Sequence, residues 1–269
     1  MNQQNHLEKV VGAYETAKWG LKKIFCEQLI NFGYWKDIKI AKQISDKQRM
    51  MASQSLYAIT FETGRKFLSN KESKVLEVGC GFGGGILFLA DLYPEIQFYG
   101  VEPTPSHYYA ALKNLIHREN IQEIFNCSTE KFQPTIQFDL IFCVEVLQHI
   151  TEPDCFLGSI SSLLNENGIF CASAHLASSK AAQKKCQKLI PYCKDGIDIL
   201  HPLETILSAA ERNKINNLTT LSIGKEVFPK YKKWLLQQKI HLMDPDCMTI
   251  IEAWEQGLLD YYLIQGKKK

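Results

Sequence analysis

Between Lys74 and Gly85 the chain runs Lys-Val-Leu-Glu-Val-Gly-Cys-Gly-Phe-Gly-Gly-Gly, and no other stretch narrows its possible folds as much. Val75, Leu76 and Val78 form a short apolar run with β-branched residues. Gly79, Gly81 and Gly83 then interrupt it, and an apolar helical run from Ile86 to Leu92 follows. That succession is strand, glycine turn, helix. Glycines at this spacing let the backbone turn sharply and let a ligand approach main-chain N–H groups without meeting a Cβ. The loop is therefore expected to hold something polar and adenosine-sized.

Two ligands fit such a loop. Gly79, Gly81 and Gly84 satisfy G-x-G-x-x-G, and Glu102 lies about twenty residues further on, as a dinucleotide site requires. An NAD-dependent oxidoreductase is thus one candidate. Against it, Glu77 sets a carboxylate beside the turn, where it would repel a pyrophosphate. The glycine loop also follows a long preceding segment instead of standing near the start of the chain. Glu77 and the glycines together make E-x-G-x-G-x-G, which resembles motif I of the class I S-adenosylmethionine-dependent methyltransferases. The resemblance implies that Glu77 positions the methionine end of the cofactor and that Glu102, after the second strand, holds the ribose hydroxyls. Gly79 and Gly81 would form the turn itself.

More of the chain follows the same pattern. Ile96 to Val101 reads as the second strand, Glu123 to Cys127 as the third and Phe138 to Cys143 as a fourth, apolar enough to be buried on both faces. Helices are expected between them, so the sheet should be parallel with crossover connections. Phe138-Asp139-Leu140-Ile141 followed by Glu145-Val146-Leu147-Gln148-His149-Ile150 is a second resemblance to the methyltransferases. It directs Glu145 and His149 to the cofactor pocket or its rim, at the carboxyl ends of the strands. Relatives commonly carry an acid after strand three for the adenine amino group. Here Cys127 and Ser128 stand in that position, so Ser128 becomes the candidate. Ile169 to Ala174 reads as strand five with His175 at its end. In some natural-product O-methyltransferases of this type, a histidine after strand four pairs with a polar residue after strand five around the acceptor hydroxyl. The corresponding residues here are His149 and His175, the candidate catalytic pair.

Outside that region the pattern is weaker. Apolar positions from His6 to Asn31 recur at helical spacing, and a further helix is expected over 45–68. Asn31-Phe32-Gly33-Tyr34-Trp35 between them is either a hydrophobic plug or, by resemblance to small-molecule and lipid methyltransferases, a lid in which Tyr34 touches the cofactor. Leu218 to Ile223 reads as strand six, residues around 225–257 as a helical insertion, and Asp260 to Gly266 as a final antiparallel strand. Trp234, Met243 and Trp254 would line an acceptor pocket or fill the core.

Composition excludes little. With 45% hydrophobic and 22% charged residues and a net charge of +2, the chain is an ordinary globular protein without the basic blocks of a nucleic-acid binder. Its nine cysteines include no C-x-x-C pair, which suits a reduced, cytoplasmic protein. No signal-peptide pattern or bilayer-length apolar run is present, and neither the histidines nor the acids have metal-site spacing. The expectation is a Rossmann-like α/β fold, doubly wound, with a mostly parallel seven-stranded sheet. Residues 1–70 would form an N-terminal helical cap and 71–269 the core. The expected cofactor is S-adenosylmethionine, with no metal. The acceptor would be a small, partly hydrophobic molecule, most naturally a hydroxyl. A homodimer is allowed, and a methyltransferase fold without catalysis is a further alternative.

Overall fold

The computed structural model describes residues 3–16, 28–68, 72–115, 118–239 and 246–269. Helix α1 (Gln3–Thr16) is followed by α2 (Asp46–Arg65), which Ser45 opens with a capping box. The alternating core comprises β1 (Lys74–Val78), α3 (Gly84–Leu92), β2 (Gln97–Val101), α4 (Pro105–Asn114), β3 (Ile121–Phe125) and β4 (Phe138–Val144). It continues through α5 (Pro153–Leu163), β5 (Leu164–Ala177), α6 (Lys180–Leu189), the single turn α7 (Pro191–Lys194) and α8 (Leu203–Arg212). Last come β6 (Ile215–Ser222), α9 (Gly224–Gln238), α10 (Asp246–Glu255) and β7 (Leu259–Lys268). Met243 lies outside the described residues.

The sheet has seven strands in the order β3-β2-β1-β4-β5-β7-β6. All pairings from β3 to β5 are parallel, whereas β7 runs antiparallel between β5 and β6. A dinucleotide-binding sheet has the order 3-2-1-4-5-6, so the inserted β7 sets this fold apart. Both faces are covered, and the side chains alternate accordingly. Val75, Leu140, Phe142 and Cys171 join one core with α2 and α3, while Leu76, Ile141, Cys143 and Phe170 join the other with α5 and α8. Helix α2, expected as part of a cap, packs directly on the sheet through Leu56 and Phe61.

Strand order reverses between β1 and β4, where successive crossovers leave toward opposite faces and open a crevice at the strands' carboxyl ends. Gly79, Glu102 and Glu145 all stand at that edge. His175 does not end its strand as expected. Pairing with β7, including His175 opposite Tyr261, extends β5 to Ala177. The strand also begins earlier, with residues 165–168 inside β5 and Asn167 at a φ of 66° beside a register shift.

Candidate functional site

The glycine loop folds back on its neighbouring strand. Gly79 and Cys80 both donate their N–H to the Val101 carbonyl, at 2.9 and 3.1 Å. Gly79 has a φ of 69° and Gly81 a φ of 53°, in the left-handed region that disfavours a Cβ. A Cβ on Gly79 would also come within 2.6 Å of Val146 Cγ2. Glu102 clamps the loop from just beyond β2, its two oxygens accepting from Gly81 N at 2.9 Å and Thr104 N at 2.8 Å. Each oxygen keeps a lone pair for a ligand hydroxyl. Burial raises the Glu102 carboxyl above its ordinary range, and these N–H bonds oppose that rise.

Glu77, in β1, is fully buried, and neither carboxylate oxygen makes a well-formed hydrogen bond. Burial pushes its pKa well up, with the Tyr57 hydroxyl and the Ile86 N–H opposing weakly. Among the described residues no cation pairs with this buried carboxylate.

Beside the loop lies a cavity of about 330 Å³. Gly79, Gly81, Glu102, Ser128 and Thr129 line it, together with Glu145, Val146 and His149, and α1 covers it with His6, Leu7, Val10 and Tyr14. Side-chain bonds tie α1 down. Gln3 donates to Glu130 at 3.0 Å, Lys131 donates to Gln4 at 2.8 Å, and Ser106 N donates to Glu15 at 2.7 Å. His107, beneath the helix, packs edge-on to Tyr14 and against Phe82. Burial holds its pKa down at about 4.

At the end of β4 the chain turns through Glu145, whose φ of 56° is unusual for a residue with a side chain. Its carboxylate accepts from Phe32 N and from the Tyr261 hydroxyl, both at 2.9 Å. The 31–35 segment thus braces Glu145 from behind. Trp35 is completely buried and donates its indole N–H to the Phe32 carbonyl at 3.0 Å. Tyr34, expected as a lid contact, is half-buried and does not line the cavity. The aromatic segment is a plug, and its contact with the site runs through the Phe32 main chain.

His149 follows on a turn of 3₁₀ helix. Its Nε2 stands 3.0 Å from the Tyr14 hydroxyl, its Nδ1 2.9 Å from Asp198, and its carbonyl 2.7 Å from His6 Nε2. Burial lowers its pKa most, but the Asp198 carboxylate, the Ile197 carbonyl and Glu145 together outweigh it and the net shift is upward. Asp198, 3% exposed, is opposed by burial, yet the two neighbouring imidazoles hold it below the usual carboxylate range. His175 lies 3.9 Å from the other Asp198 oxygen. It is packed against Phe32 and Tyr261 and does not line the cavity.

The structure therefore gathers Gly79, Gly81, Glu102, Ser128, Glu145 and His149 on one cavity, with Glu77 buried behind the loop. Tyr34 and His175 stay outside it. Sequence patterns did not single out Tyr14, His6, Tyr57 or Asp198. Asp198 sits in an irregular stretch between Ile197 and Ile199, and Tyr14 belongs to an amphipathic helix with nothing to mark which neighbour it meets.

Residues 76–170 match a family model described as a methyltransferase domain. A ubiquinone biosynthesis O-methyltransferase of Rhodopseudomonas palustris (strain HaA2) is 30% identical over 115 residues, 39% of this chain and 44% of the relative. In that alignment the chain spans less than half of its relative's length. The protein of that name from strain TIE-1 is 28% identical over 203 residues, 72% of this chain and 76% of the relative. In fold, the chain is similar to geranyl diphosphate C-methyltransferase from Streptomyces coelicolor A3(2), solved with S-adenosyl-L-homocysteine. Their TM-score is 0.78 at 11% identity, over 98% of each chain. The chain thus carries a methyltransferase domain over residues 76–170 and, with its inserted antiparallel β7 and acid-flanked glycine loop, is similar in sequence and fold to the class I S-adenosylmethionine-dependent methyltransferases.

Proposed function

We propose that this protein transfers the methyl group of S-adenosylmethionine to a hydroxyl of a small, partly hydrophobic acceptor. One observation carries the proposal. A single cavity joins the glycine loop and Glu102 to Glu145 and His149, so the edge suited to the cofactor and a basic side chain share one cleft.

The residues present suit the cofactor. The buried Glu77 carboxylate lacks a well-formed partner and matches an ammonium. Glu102 has free lone pairs for ribose hydroxyls, and Ser128 and Thr129 offer hydroxyls toward the adenine end. When bound, S-adenosylmethionine supplies a methyl carbon made electrophilic by a sulfonium. The chain's own contribution is alignment, exclusion of water under α1, and a proton acceptor in His149. Cavity-lining Leu7, Val10, Ile30, Val146, Ile150 and Phe156 favour an acceptor with apolar surface. The O-methyltransferase relatives give oxygen precedence over carbon or nitrogen.

Calorimetric titration with S-adenosylmethionine, S-adenosylhomocysteine and NAD in parallel tests the cofactor. Incubation with methyl-labelled S-adenosylmethionine and a panel of hydroxylated small molecules tests the reaction. Binding of the first two ligands with label transfer to a hydroxyl is expected. Binding of NAD alone would overturn the proposal, and cofactor binding with no transfer across the panel would leave a binding protein on a methyltransferase fold.

A further inference from the structure

We infer that Asp198 is a positioning residue. It fixes the tautomer of His149 so that Nε2, the nitrogen facing the cavity, is the one that receives the acceptor's proton. The inference rests on the proposed role of His149 and adds to it a residue from a separate loop, between α7 and α8.

The groups around the two ring nitrogens differ in kind. Nδ1 faces Asp198 Oδ1 at 2.9 Å and the Ile197 carbonyl at 3.4 Å. A carbonyl and an ionised carboxylate can only accept, so Nδ1 must carry a hydrogen. Asp198 Oδ1 lies off the N–H axis and takes no hydrogen bond, so the hydrogen goes to the Ile197 carbonyl while the carboxylate acts on Nδ1 as a charge 2.9 Å away. Nε2 faces the Tyr14 hydroxyl at 3.0 Å and the Gln148 side-chain nitrogen at 3.5 Å. The same Gln148 nitrogen donates to the Glu145 carbonyl at 2.8 Å, which fixes the amide with its donor end on this side. Two acceptors surround Nδ1 and two potential donors surround Nε2. The neutral ring is therefore Nδ1–H, with the Nε2 lone pair turned toward the Tyr14 hydroxyl.

An acceptor hydroxyl that takes the place of the Tyr14 hydroxyl meets this lone pair. Its O–H bond breaks, the proton passes to Nε2, and the oxygen forms its bond to the methyl carbon as the methyl–sulfur bond breaks and the electron pair leaves with sulfur. The imidazolium so formed lies against the Asp198 carboxylate, which is nearly inaccessible to solvent and so little screened. The proton is returned to solvent after product release. His175 meets only the far oxygen of Asp198, at 3.9 Å, and has no access to the cavity. Its place is behind the carboxylate and away from the acceptor. The other titratable groups facing His149 are His6 and Tyr14 on α1, Glu145 after β4 and, across the cavity, Glu102.

Long-range ¹H–¹⁵N correlation spectra of histidine-labelled protein without ligand test the inference directly. The wild type is expected to show His149 as the Nδ1–H tautomer. Asp198→Asn is expected to shift the His149 titration midpoint to lower pH and to mix the tautomers. In methyl transfer, Asp198→Asn should lower kcat about 10- to 100-fold and move the pH profile of kcat the same way as the NMR midpoint. S-adenosylhomocysteine affinity and the acceptor KM should stay within about twofold, a split that general structural damage would not produce. An Nε2–H tautomer in the wild type, or an unchanged midpoint in Asp198→Asn, would overturn the inference. The wild-type spectrum decides alone if the variant does not fold. Because the spectra need neither cofactor nor acceptor, they stand apart from any failure of the methyl-transfer proposal.

Discussion

Replacing Glu77 by Gln separates the fold's interest from the ligand's. In the free protein the Glu77 carboxyl is completely buried without a well-formed hydrogen bond. An unsatisfied buried polar group costs about 1–3 kcal/mol, and a charged one more. A Gln of the same shape removes the charge but brings an NH₂ that also wants a partner, so the net gain is about 1–2 kcal/mol. For a chain of this size that is a rise in Tm of roughly 2–8 °C. The gain depends on pH. Burial raises the folded carboxyl above the 4.5 of an unfolded chain, so on raising the pH the unfolded chain loses its proton first. The wild-type fold therefore weakens from about pH 4.5 upward to its own pKa, and the Gln variant lacks that slope. Below pH 4.5 the advantage should fade. Ligand binding should move the opposite way. A charge-assisted bond to an ammonium contributes about 1.5–3 kcal/mol, so affinity for S-adenosylhomocysteine should fall about 10- to 100-fold. Scanning calorimetry at pH 4, 6 and 8 and titration calorimetry at pH 8 measure both effects. A lower Tm at pH 8, or undiminished affinity, would refute the reasoning.

Three further outcomes are expected. Gly79→Ala adds a methyl 2.6 Å from Val146 Cγ2 at a φ of 69°, costing about 1–2 kcal/mol in backbone strain and about 1–3 kcal/mol in overpacking. In urea denaturation, adding Val146→Ala should restore only the second part, and no restoration would mean that the clash is absent. Glu102→Ala strips the acceptor from Gly81 N and Thr104 N and should weaken S-adenosylhomocysteine binding about 10- to 100-fold by calorimetry; unchanged affinity would remove its ribose role. His107 is held near 4 by burial against an ordinary 6.5, so below pH 6.5 the unfolded chain takes up the proton first and the fold loses stability as pH falls. The loss nears about 3 kcal/mol at pH 4, a shift of roughly 2.5 units at 1.36 kcal/mol each. His107→Leu should flatten that limb of the stability curve, and an unaltered acid limb would contradict it.

The sequence by itself determined the nucleotide-binding half of the molecule, because that information is local. Strand, glycine turn and helix are each specified within a few residues, and the acids Glu77 and Glu102 are placed by the ends of strands whose apolar runs are plain. The same locality put Glu145 and His149 at the carboxyl end of β4. Tertiary structure decided what those residues face. Antiparallel pairing with β7 lengthened β5 and set His175 opposite Tyr261, enclosing a histidine that strand order alone had left at an open end. The aromatic run at 31–35 shows its apolar character in sequence but not which ring turns inward. Trp35 went into the core, and the Phe32 main chain, with no side-chain signature at all, became the brace for Glu145. Asp198, Tyr14 and His149 come from three segments brought together only by folding. A hydrogen bond of about 3 Å between residues more than a hundred positions apart leaves no periodicity behind it, and that is why only the fold decides which groups surround His149.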